Sequence, residues 1–496
     1  MRQSQDIELA MADHPVGVSR QRWLGDQIRE AILAGRLTSG ARLPPTRDLA
    51  QRHGLSRGTV LAVFEQLASE GYLVGEVGRG TFVAPELPDP AFRADPTGTM
   101  GEAFDPRISN RGRVLSRTPF SLEPRTGPSQ AFRPNQPDLG GFPFELWARL
   151  SARKAREVQP AMLTDGDPLG YHPLREAMAQ HLRASRGIAC SPEQVAILGS
   201  VQQVIDLCAR LLLDEGESVW MEDPGYLGAR MVFEAAGLRI VGVPVDSGGL
   251  DVAIGRLKAP RARLAYLTAG RQSPLGMPMS LERRLALLNW AAEAGATLIE
   301  DDYDSEFRFQ GPPRAAMKSL DRDGHVVYTG TFSKLLFPAL RLAYAILPVH
   351  LVPSFAAACS LSFRYVPLGP QATLSAFIAE GHFGRHLRRM RVLYAERAQA
   401  LESAVAGCLS GLLELPAITA GLDAPAFLPP DLDDRRVARA ALQNGVECRP
   451  LSFYEVEQRP PSGLLLGFAP FEAKEIRAGA ERLRKAMESL RAKDPD

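Results

Sequence analysis

Residues 326–348 read VVYTGTFSKLLFPALRLAYAILP, in which two apolar runs flank a segment that carries small hydroxyl residues. The runs VVYTG (326–330) and LAYAIL (342–347) each have the length and composition of a buried strand. Lys334 follows the first run closely and is preceded by Thr331 and Ser333. A lysine just past a strand end is available to form an imine with an aldehyde cofactor.

The chain from residue 131 onward repeats this alternation of short apolar runs and helical segments. Further runs are VAIL (195–198), SVWMED (218–223), RLAYLT (263–268) and ATLIED (296–301). Between the runs, apolar residues recur at the i, i+3 and i+4 spacing of amphipathic helices. Strands that alternate with helices predict an α/β domain over residues 131–496, with a mainly parallel sheet and helices on both faces.

Polar residues stand at the ends of several of these predicted strands. Asp301 can keep a pyridinium nitrogen protonated, and Tyr303 can bond a ring hydroxyl. Ser200 follows VAILG and opens a helix whose free N–H groups suit a phosphate. Arg341 would add a counter-charge to that phosphate, and Tyr226 would stack on a ring. Each feature alone is more typical of an ordinary strand terminus, but their common position at strand ends indicates a cofactor site.

Residues 15–84 form a separate small domain. An amphipathic helix precedes two short helices, which begin at the cap residues Thr46 and Ser56 and flank a tight glycine turn. The runs GYLV (71–74) and TFV (81–83) then predict a two-stranded wing. The pattern is that of a winged helix-turn-helix.

This domain resembles the GntR-type winged helix almost from end to end, in the stretches IREAILAGRL, RLPPTRDLAQRHGLSRGTV, FEQLASEGYL and GRGTFV. In that family the third helix enters the major groove of DNA and the wing tip approaches the minor groove. The resemblance implies DNA contacts from Arg47, Ser56, Arg57, Thr59, Arg79 and Gly80. Arginines and short hydroxyls near a helix N-terminus suit phosphates and base edges. Singly, these arginines are more typical of a solvated surface, but the caps, turn and wing together favour DNA binding.

Residues 85–130 are rich in proline, glycine and polar residues, and they show no persistent helical or strand period. A loop of this length is uncommon inside a compact domain. The composition predicts a linker that is at least partly extended.

The larger domain resembles the fold-type-I aminotransferases of class I and II, in FRPNQPDL, DPLGYHPLREAMAQHL, EDPGYLGAR, EDDYDSEFRF and GTFSKLLFPALRLAYAILP. That fold has a large, mostly parallel sheet and a small C-terminal α+β subdomain, here from about residue 375 to 496. The resemblance implies that Lys334 forms an aldimine with pyridoxal 5'-phosphate, that Asp301 pairs with the pyridinium nitrogen and that Tyr303 bonds the 3-hydroxyl. It places Tyr226 over the ring. It implies phosphate contacts from Ser200, Val201, Gln202, Thr331, Ser333 and Arg341. Together with the winged helix, the whole chain resembles the MocR/GabR family of regulators.

The sequence departs from this pattern at several positions. Ser273 stands where aminotransferases carry the asparagine of Asn-Pro-x-Gly, so a shorter side chain is left to hold the ring oxygen. Arg271 places a cation where a neutral residue or histidine is typical. Gly228 replaces the substrate-binding arginine of the regulator that responds to γ-aminobutyrate. The run LLLGF (464–468) lacks the arginine that clamps a substrate carboxylate, and Arg449 is the nearest replacement as an effector-binding residue.

Bulk properties fit an intracellular globular protein. The 496 residues carry a formal net charge of +1 and 45% hydrophobic residues. The five cysteines form no CxxC pair, which predicts reduced thiols and no metal site. The N-terminus lacks the apolar core of a secretion signal, and no apolar run is long enough to span a membrane. We therefore expect a cytoplasmic protein without a membrane partner.

Three functions remain open from the sequence. The first is a transcription regulator, not an enzyme, that senses an amino compound through the cofactor on Lys334 and thereby changes its binding to a double-stranded DNA operator. The second is a working aminotransferase with an accessory DNA-binding domain. The third is a regulator that senses pyridoxal phosphate itself. Fold-type-I sites lie at dimer interfaces, so a homodimer that binds two half-sites is expected in each case.

Overall fold

The computed structural model describes residues 14–15, 17–88, 107–118, 120, 129–160, 164–311 and 314–491. These residues fall into two compact units, one before residue 107 and one from residue 107 onward. Each unit has its own hydrophobic core.

The N-terminal unit is a three-helix domain with a two-stranded wing. Its elements are α1 (Arg20–Leu33), α2 (Thr46–Arg52), α3 (Arg57–Ser69), β1 (Leu73–Glu76) and β2 (Gly80–Val83). The strands pair antiparallel from Leu73 opposite Val83 to Glu76 opposite Gly80. The buried stripes of α1 and α3 face each other and fill the core, with Leu24, Ile28, Val60, Val63 and Leu67.

The predicted winged helix is therefore confirmed, with one local correction. Ser56 caps α3 as predicted, because its side chain accepts a hydrogen bond from the amide of Thr59 at 3.0 Å. Thr46 does not cap α2: it is the first helical residue, and the cap position is Pro45, which makes no side-chain hydrogen bond. Pro45 takes this position because the Leu43–Pro44–Pro45 segment is held extended by its two prolines.

The region assigned to a linker is not wholly irregular. Its described part contains α4 (Asn110–Leu115), for which the sequence shows no helical period. The Ser109 side chain accepts a hydrogen bond from the amide of Gly112 at 3.0 Å, which caps this short helix. Residues 89–106, 119 and 121–128 of the predicted linker lie outside the described residues.

An eight-stranded sheet forms the middle of the larger unit, in the order β3-β10-β9-β8-β7-β4-β5-β6. Its strands are β3 (Val195–Leu198), β4 (Ser218–Asp223), β5 (Arg239–Asp246), β6 (Gly249–Leu250), β7 (Leu264–Leu267), β8 (Thr297–Asp302), β9 (Val326–Thr331) and β10 (Ala343–Ile346). The pairs from β9 through β8, β7 and β4 to β5 are parallel. Strand β10 is antiparallel to both of its neighbours, and β6 is antiparallel to β5. The predicted mainly parallel sheet is confirmed.

Helices pack around this sheet and around a second, smaller one. They are α5 (Phe144–Glu157), α6 (His172–Arg186), α7 (Val201–Leu212), α8 (Leu227–Ala235), α9 (Val252–Lys258), α10 (Leu281–Ala294), α11 (Phe332–Leu335), α12 (Val352–Phe363), α13 (Leu368–Ala379), α14 (His382–Cys408), α15 (Asp434–Gln443) and α16 (Ala473–Arg491). The small sheet has the antiparallel order β11-β13-β12, with strands β11 (Asp423–Phe427), β12 (Arg449–Pro450) and β13 (Gly463–Gly467). Helices α15 and α16 pack together beside it, as the expected small α+β subdomain requires.

Among the described residues, no helix is long and apolar enough to cross a membrane. These residues also contain no group of three or more histidine, cysteine, aspartate or glutamate side chains that could hold a metal ion.

Candidate functional site

A cavity of about 610 Å³ opens at the edge of the large sheet where the parallel strands end. The segments that follow β3, β7, β8 and β9 converge there, which is the usual place for a ligand in an open α/β sheet. The cavity brings together every cofactor residue predicted from the sequence, together with the predicted effector residue. They are Ser200, Val201, Gln202, Tyr226, Ser273, Asp301, Tyr303, Thr331, Ser333, Lys334, Arg341 and Arg449.

Asp301 supplies a buried carboxylate that is only half satisfied. Its Oδ2 accepts a hydrogen bond from the hydroxyl of Tyr266 at 2.6 Å. Its Oδ1 is also buried but accepts no hydrogen bond from any residue that the structure describes. Burial raises the pKa of this carboxyl to about 6, although the bond from Tyr266 and the charge of Lys334 oppose the shift. An acceptor left in this state fits a cationic N–H donor.

Lys334 lies close to Asp301 and over an aromatic ring. Its Nζ is 4.1 Å from the centre of the Tyr303 ring. Burial lowers the pKa of the amine, while the charges of Asp304 and Asp301 oppose that shift. Lys334 is therefore more readily neutral than a surface lysine, which is the form that attacks a carbonyl carbon.

The opposite end of the cavity is suited to an anion. Ser200 is the N-cap of α7. The amides of Val201 and Gln202 lie in the first turn, where no intrahelical acceptor exists. Thr331 caps α11, with its hydroxyl accepting from the amide of Ser333 at 3.1 Å. The Arg341 guanidinium forms no hydrogen bond or ion pair with the described part of the chain, so it is available to the same anion.

A buried carboxylate holds the turn that carries Ser273. The Thr268 hydroxyl accepts from the amide of Ser273 at 2.9 Å and donates to Glu222 at 2.6 Å. Burial raises the pKa of Glu222 to about 7. Gln272 closes the turn by donating to the carbonyl of Pro224 at 2.8 Å. The short Ser273 side chain is thus held at the wall of the cavity.

Arg449 occupies the position opposite the missing strand arginine. It lies on β12 and pairs in register with Leu465, in the middle of the LLLGF run on β13. Its guanidinium is 4.9 Å from the centre of the Phe453 ring. Arg449 is therefore a cation on the strand that neighbours β13, and it lines the cavity.

Any side chain at residue 228 would crowd the Tyr226 ring. Its carbonyl accepts a hydrogen bond from the Gln202 side chain at 3.0 Å. A Cβ added at Gly228 would come within 2.5 Å of the Tyr226 ring. A longer side chain at residue 228 would have to displace Tyr226 from the cavity wall.

Sequence reasoning missed several residues that build this site. The cavity is also lined by Phe120, Arg133, Asn135, Tyr266, Thr268, Phe453 and Tyr454. Tyr266 lies inside a buried strand, where an aromatic residue is expected for packing alone. Arg271 stands out in the sequence as an unusual cation, but its role depends on partners that are distant along the chain.

In the N-terminal unit, the predicted DNA contacts lie on α2, at the start of α3 and at the wing tip. Ser56, Arg57 and Thr59 are at the start of α3, and the Ser56 and Thr59 hydroxyls are 2.8 Å apart. Arg79 lies at the wing tip, forms an ion pair with Glu76 and sits 5.9 Å from the Phe82 ring centre. Gly80 has a φ of +115° and lies against the Arg42 side chain. Arg47 is exposed in the first turn of α2.

Comparison with known proteins identifies both units. The family model for aminotransferase class I and II matches residues 135–483, and that for bacterial regulatory proteins of the gntR family matches residues 21–83. The probable rhizopine catabolism regulatory protein MocR of Rhizobium meliloti is 39% identical over 483 residues, which cover 97% of this chain and 96% of that protein. The transcriptional regulator TauR of Rhodobacter capsulatus is 35% identical over 399 residues, or 78% of this chain and 80% of that protein.

A solved structure shows the same fold for the larger unit. The α-aminoadipate aminotransferase LysN of Thermus thermophilus, in complex with N-(5'-phosphopyridoxyl)-L-leucine, matches with a TM-score of 0.70 and 29% identity. The match covers 77% of this chain and 98% of LysN. The larger unit thus has the aminotransferase class I and II fold, a fold that binds pyridoxal phosphate.

The raised pKa of Asp301 predicts a measurable stability cost. Because the folded state binds the proton more tightly than the unfolded chain, this carboxyl lowers stability as pH rises from 3.8 to about 6. Replacing it by Asp301→Asn should stabilise the cofactor-free protein at pH 8 by about 1–3 kcal/mol, and the gain should vanish below pH 4. Urea unfolding at several pH values measures this. A variant that is less stable than the parent at pH 8 would show that the carboxylate is paired.

Proposed function

We propose that this chain, which belongs to the MocR type of GntR-family transcriptional regulators, binds pyridoxal phosphate at Lys334 and uses it to sense an amino compound. The observation that carries the proposal is the unpartnered, buried Oδ1 of Asp301 in the same cavity as the Lys334 amine. A buried acceptor without a donor is costly. A protonated pyridine nitrogen would relieve that cost.

The described residues fit the whole cofactor. Asp301 would hold the ring nitrogen, Tyr303 the ring oxygen and Lys334 the aldehyde carbon. The phosphate would be held by the first turn of α7 and by Thr331, Ser333 and Arg341, while Tyr226 would cover the ring. When bound, pyridoxal phosphate supplies an aldehyde carbon at which one amine can replace another.

The protein's own groups favour such an exchange. The lowered pKa of Lys334 makes its amine easier to deprotonate than that of a surface lysine, so that it can leave and return at a smaller cost in protonation. The Tyr303 ring below it limits the positions the amine can take. Asp301 is almost fully buried, which strengthens its electrostatic contacts with neighbouring groups.

The effector class follows from the cations around the rest of the cavity. Arg449 is suited to a carboxylate or another anionic group through a bidentate contact. Residues 228 and 465, a glycine and a leucine, add no further cation, and Arg133, which also lines the cavity, forms an ion pair with Glu447. We infer an effector that carries a primary amine and one anionic group. The name of the Rhizobium relative makes rhizopine one compound to include among the candidates.

The rival function is that of a working aminotransferase, because Lys334, Asp301 and Tyr303 are all present. Turnover, however, requires a substrate held precisely enough for proton transfer, and misplacement of the reacting bond costs on the order of 10²-fold in rate. Arg449 would hold the substrate anion from β12, one strand away from the arginine that usually clamps it. This difference in position favours binding without efficient turnover. Sensing of pyridoxal phosphate alone is the third possibility.

Operator binding would use the N-terminal unit. The start of α3 would enter the major groove and the Arg79 wing tip would lie near the minor groove. Because the operator is chromosomal, the protein would work in the cytoplasm. A homodimer would present two such units to two half-sites.

The first prediction concerns attachment of the cofactor. Protein purified with pyridoxal phosphate should be yellow, and borohydride should fix the cofactor on Lys334 among the seven lysines of the chain. The Lys334→Ala variant should lose the colour, whereas Lys485→Ala, on the helix α16, should keep it. Absorbance spectra and peptide mass spectrometry provide the measurement. Recovery of the label on another lysine would contradict the assignment.

The second prediction concerns DNA. In titrations with a duplex taken from the DNA adjoining its own gene, Arg57→Ala should weaken binding by about 1–3 kcal/mol if the side chain reads one base. The loss should then be confined to one position of the operator. A phosphate contact would instead weaken binding to every sequence and reduce the salt dependence. Arg239→Ala, in the other unit, removes the same charge and serves as the control. Unchanged affinity of Arg57→Ala would show that α3 does not face DNA.

The third prediction separates sensing from turnover. The Arg449→Gln variant should bind an ω-amino acid roughly 10–100-fold more weakly, as expected for the loss of a charge-assisted contact of about 1.5–3 kcal/mol. Its affinity for a diamine of the same length should not change. Arg459→Gln, on the exposed surface, is the control. Cofactor absorbance reports the binding and keto-acid release reports turnover. Sustained turnover at ordinary enzyme rates, ~1–10³ per second, would favour the aminotransferase.

A further inference from the structure

The chain makes room for one buried guanidinium beside the cofactor cavity. Arg271 lies between β7 and α10 and is only 5% exposed. Gly421, in the left-handed region with a φ of +95°, lies against it, and a Cβ on Gly421 would come within 2.4 Å of the Arg271 Cζ. A glycine at this position therefore serves the guanidinium as well as the backbone turn.

Arg271 contacts two segments that are far apart along the chain, residues 303–304 and residue 423. Its Nη1 donates to the Tyr303 hydroxyl at 2.9 Å, to Asp304 at 3.1 Å and to Asp423 at 3.3 Å. Its Nη2 donates to the backbone carbonyl of Asp423. Burial disfavours the charge on Arg271, but the neighbouring carboxylates outweigh burial and raise its pKa, so it stays cationic.

The contact with Tyr303 fixes the direction of the phenol. Since the hydroxyl oxygen already accepts from Arg271, its own proton remains to be donated elsewhere. Within the described residues no hydrogen bond has Tyr303 as its donor. The ring lines the cavity below the Lys334 amine. A phenol that accepts from a cation is also a stronger donor than an isolated one.

The contact with Asp423 extends the network to the small sheet. Asp423 is the first residue of β11, and its Oδ2 accepts from the amide of Asn135 at 3.0 Å. Asn135 lines the cavity on another side. The same guanidinium therefore links the wall that carries Tyr303, the wall that carries Asn135 and the edge of the small sheet.

We propose that Arg271 is a positioning residue that orients the Tyr303 hydroxyl into the cofactor cavity. Through its contact with Asp423, Arg271 also links this orientation to the small sheet. This inference rests on the proposed binding of pyridoxal phosphate. It assigns a role to Arg271, a cation at a position where a neutral residue or histidine is typical. Arg271 itself does not line the cavity, so it acts through its neighbours.

The test measures the pH at which the visible absorbance of the cofactor-loaded protein changes. Arg271→Lys keeps the charge but cannot reproduce the planar set of donors. Without the guanidinium contact, the Tyr303 hydroxyl is a weaker hydrogen-bond donor and stabilises the unprotonated form of the bound cofactor less well. The pH midpoint of the absorbance change should therefore rise by roughly 0.5–1 unit. Tyr303→Phe should move it in the same direction. The double variant should match Tyr303→Phe alone, because Arg271 acts through that phenol. Arg283 bonds Asp246 outside the cavity, so Arg283→Lys should leave the pH midpoint unchanged.

The outcomes separate this inference from the proposed function. A parent protein that acquires no visible absorbance with pyridoxal phosphate would overturn the proposed function. A parent that does acquire it, with an unchanged midpoint in Arg271→Lys, would overturn the role of Arg271. Additive shifts in the double variant would also overturn it, since the guanidinium would then act independently of Tyr303.

The link to the small sheet has its own measurement. In thermal unfolding of the cofactor-loaded protein, Arg271→Lys and Asp423→Asn should each lower the midpoint temperature. The double variant should lower it no further than the single variant with the larger effect. Fully additive losses would show that Arg271 and Asp423 are not coupled. If Asp423→Asn does not fold, hydrogen exchange of the β11 amides in Arg271→Lys replaces it. Exchange there should be faster than in Arg283→Lys, and equal rates would refute the link.

Discussion

The buried carboxylate of Asp301 is the constraint around which the larger unit is organised. One of its oxygens accepts a hydrogen bond from Tyr266, while the other is buried and has no donor among the residues that the structure describes. Holding a carboxylate in that state costs stability, and only the surrounding sheet keeps it in place. The parallel strands bring Asp301 to the same edge as Lys334 and the start of α7, so that one carboxylate, one amine and one helix N-terminus share a single cavity. The chemistry of the site thus depends on a topology in which strand ends meet.

Much of this arrangement could be predicted because it depends on local sequence. The runs VAIL and SVWMED coincide with β3 and β4, since short apolar runs between helices have few other conformations in an α/β fold. Polar residues directly after such runs must lie at the sheet edge, and this brought Ser200, Asp301 and Lys334 into one predicted site. Strand β5, RIVGVPVD, was not predicted, because its glycine and proline weaken the strand pattern.

The parts that could not be predicted depend on contacts between distant residues. The role of Arg271 requires Asp423, which lies 152 residues further along the chain. The position of Arg449 opposite Leu465 becomes clear only from the register of β12 and β13. Tyr266 has no sequence signal of its own, since a buried tyrosine in a strand usually serves packing. In each case the sequence contains the residue, but the pairing that gives it a function is set by tertiary structure.

The crowding between Gly228 and Tyr226 also limits how this cavity can change in evolution. A single substitution that adds an arginine at residue 228 would collide with the aromatic ring beside it. The gain of a second anion-binding group at residue 228 therefore requires the Tyr226 ring to shift or to become smaller. Either change would alter the cover over the cavity. Residues 226 and 228 are thus expected to change together in evolution, because the size of one limits the size of the other.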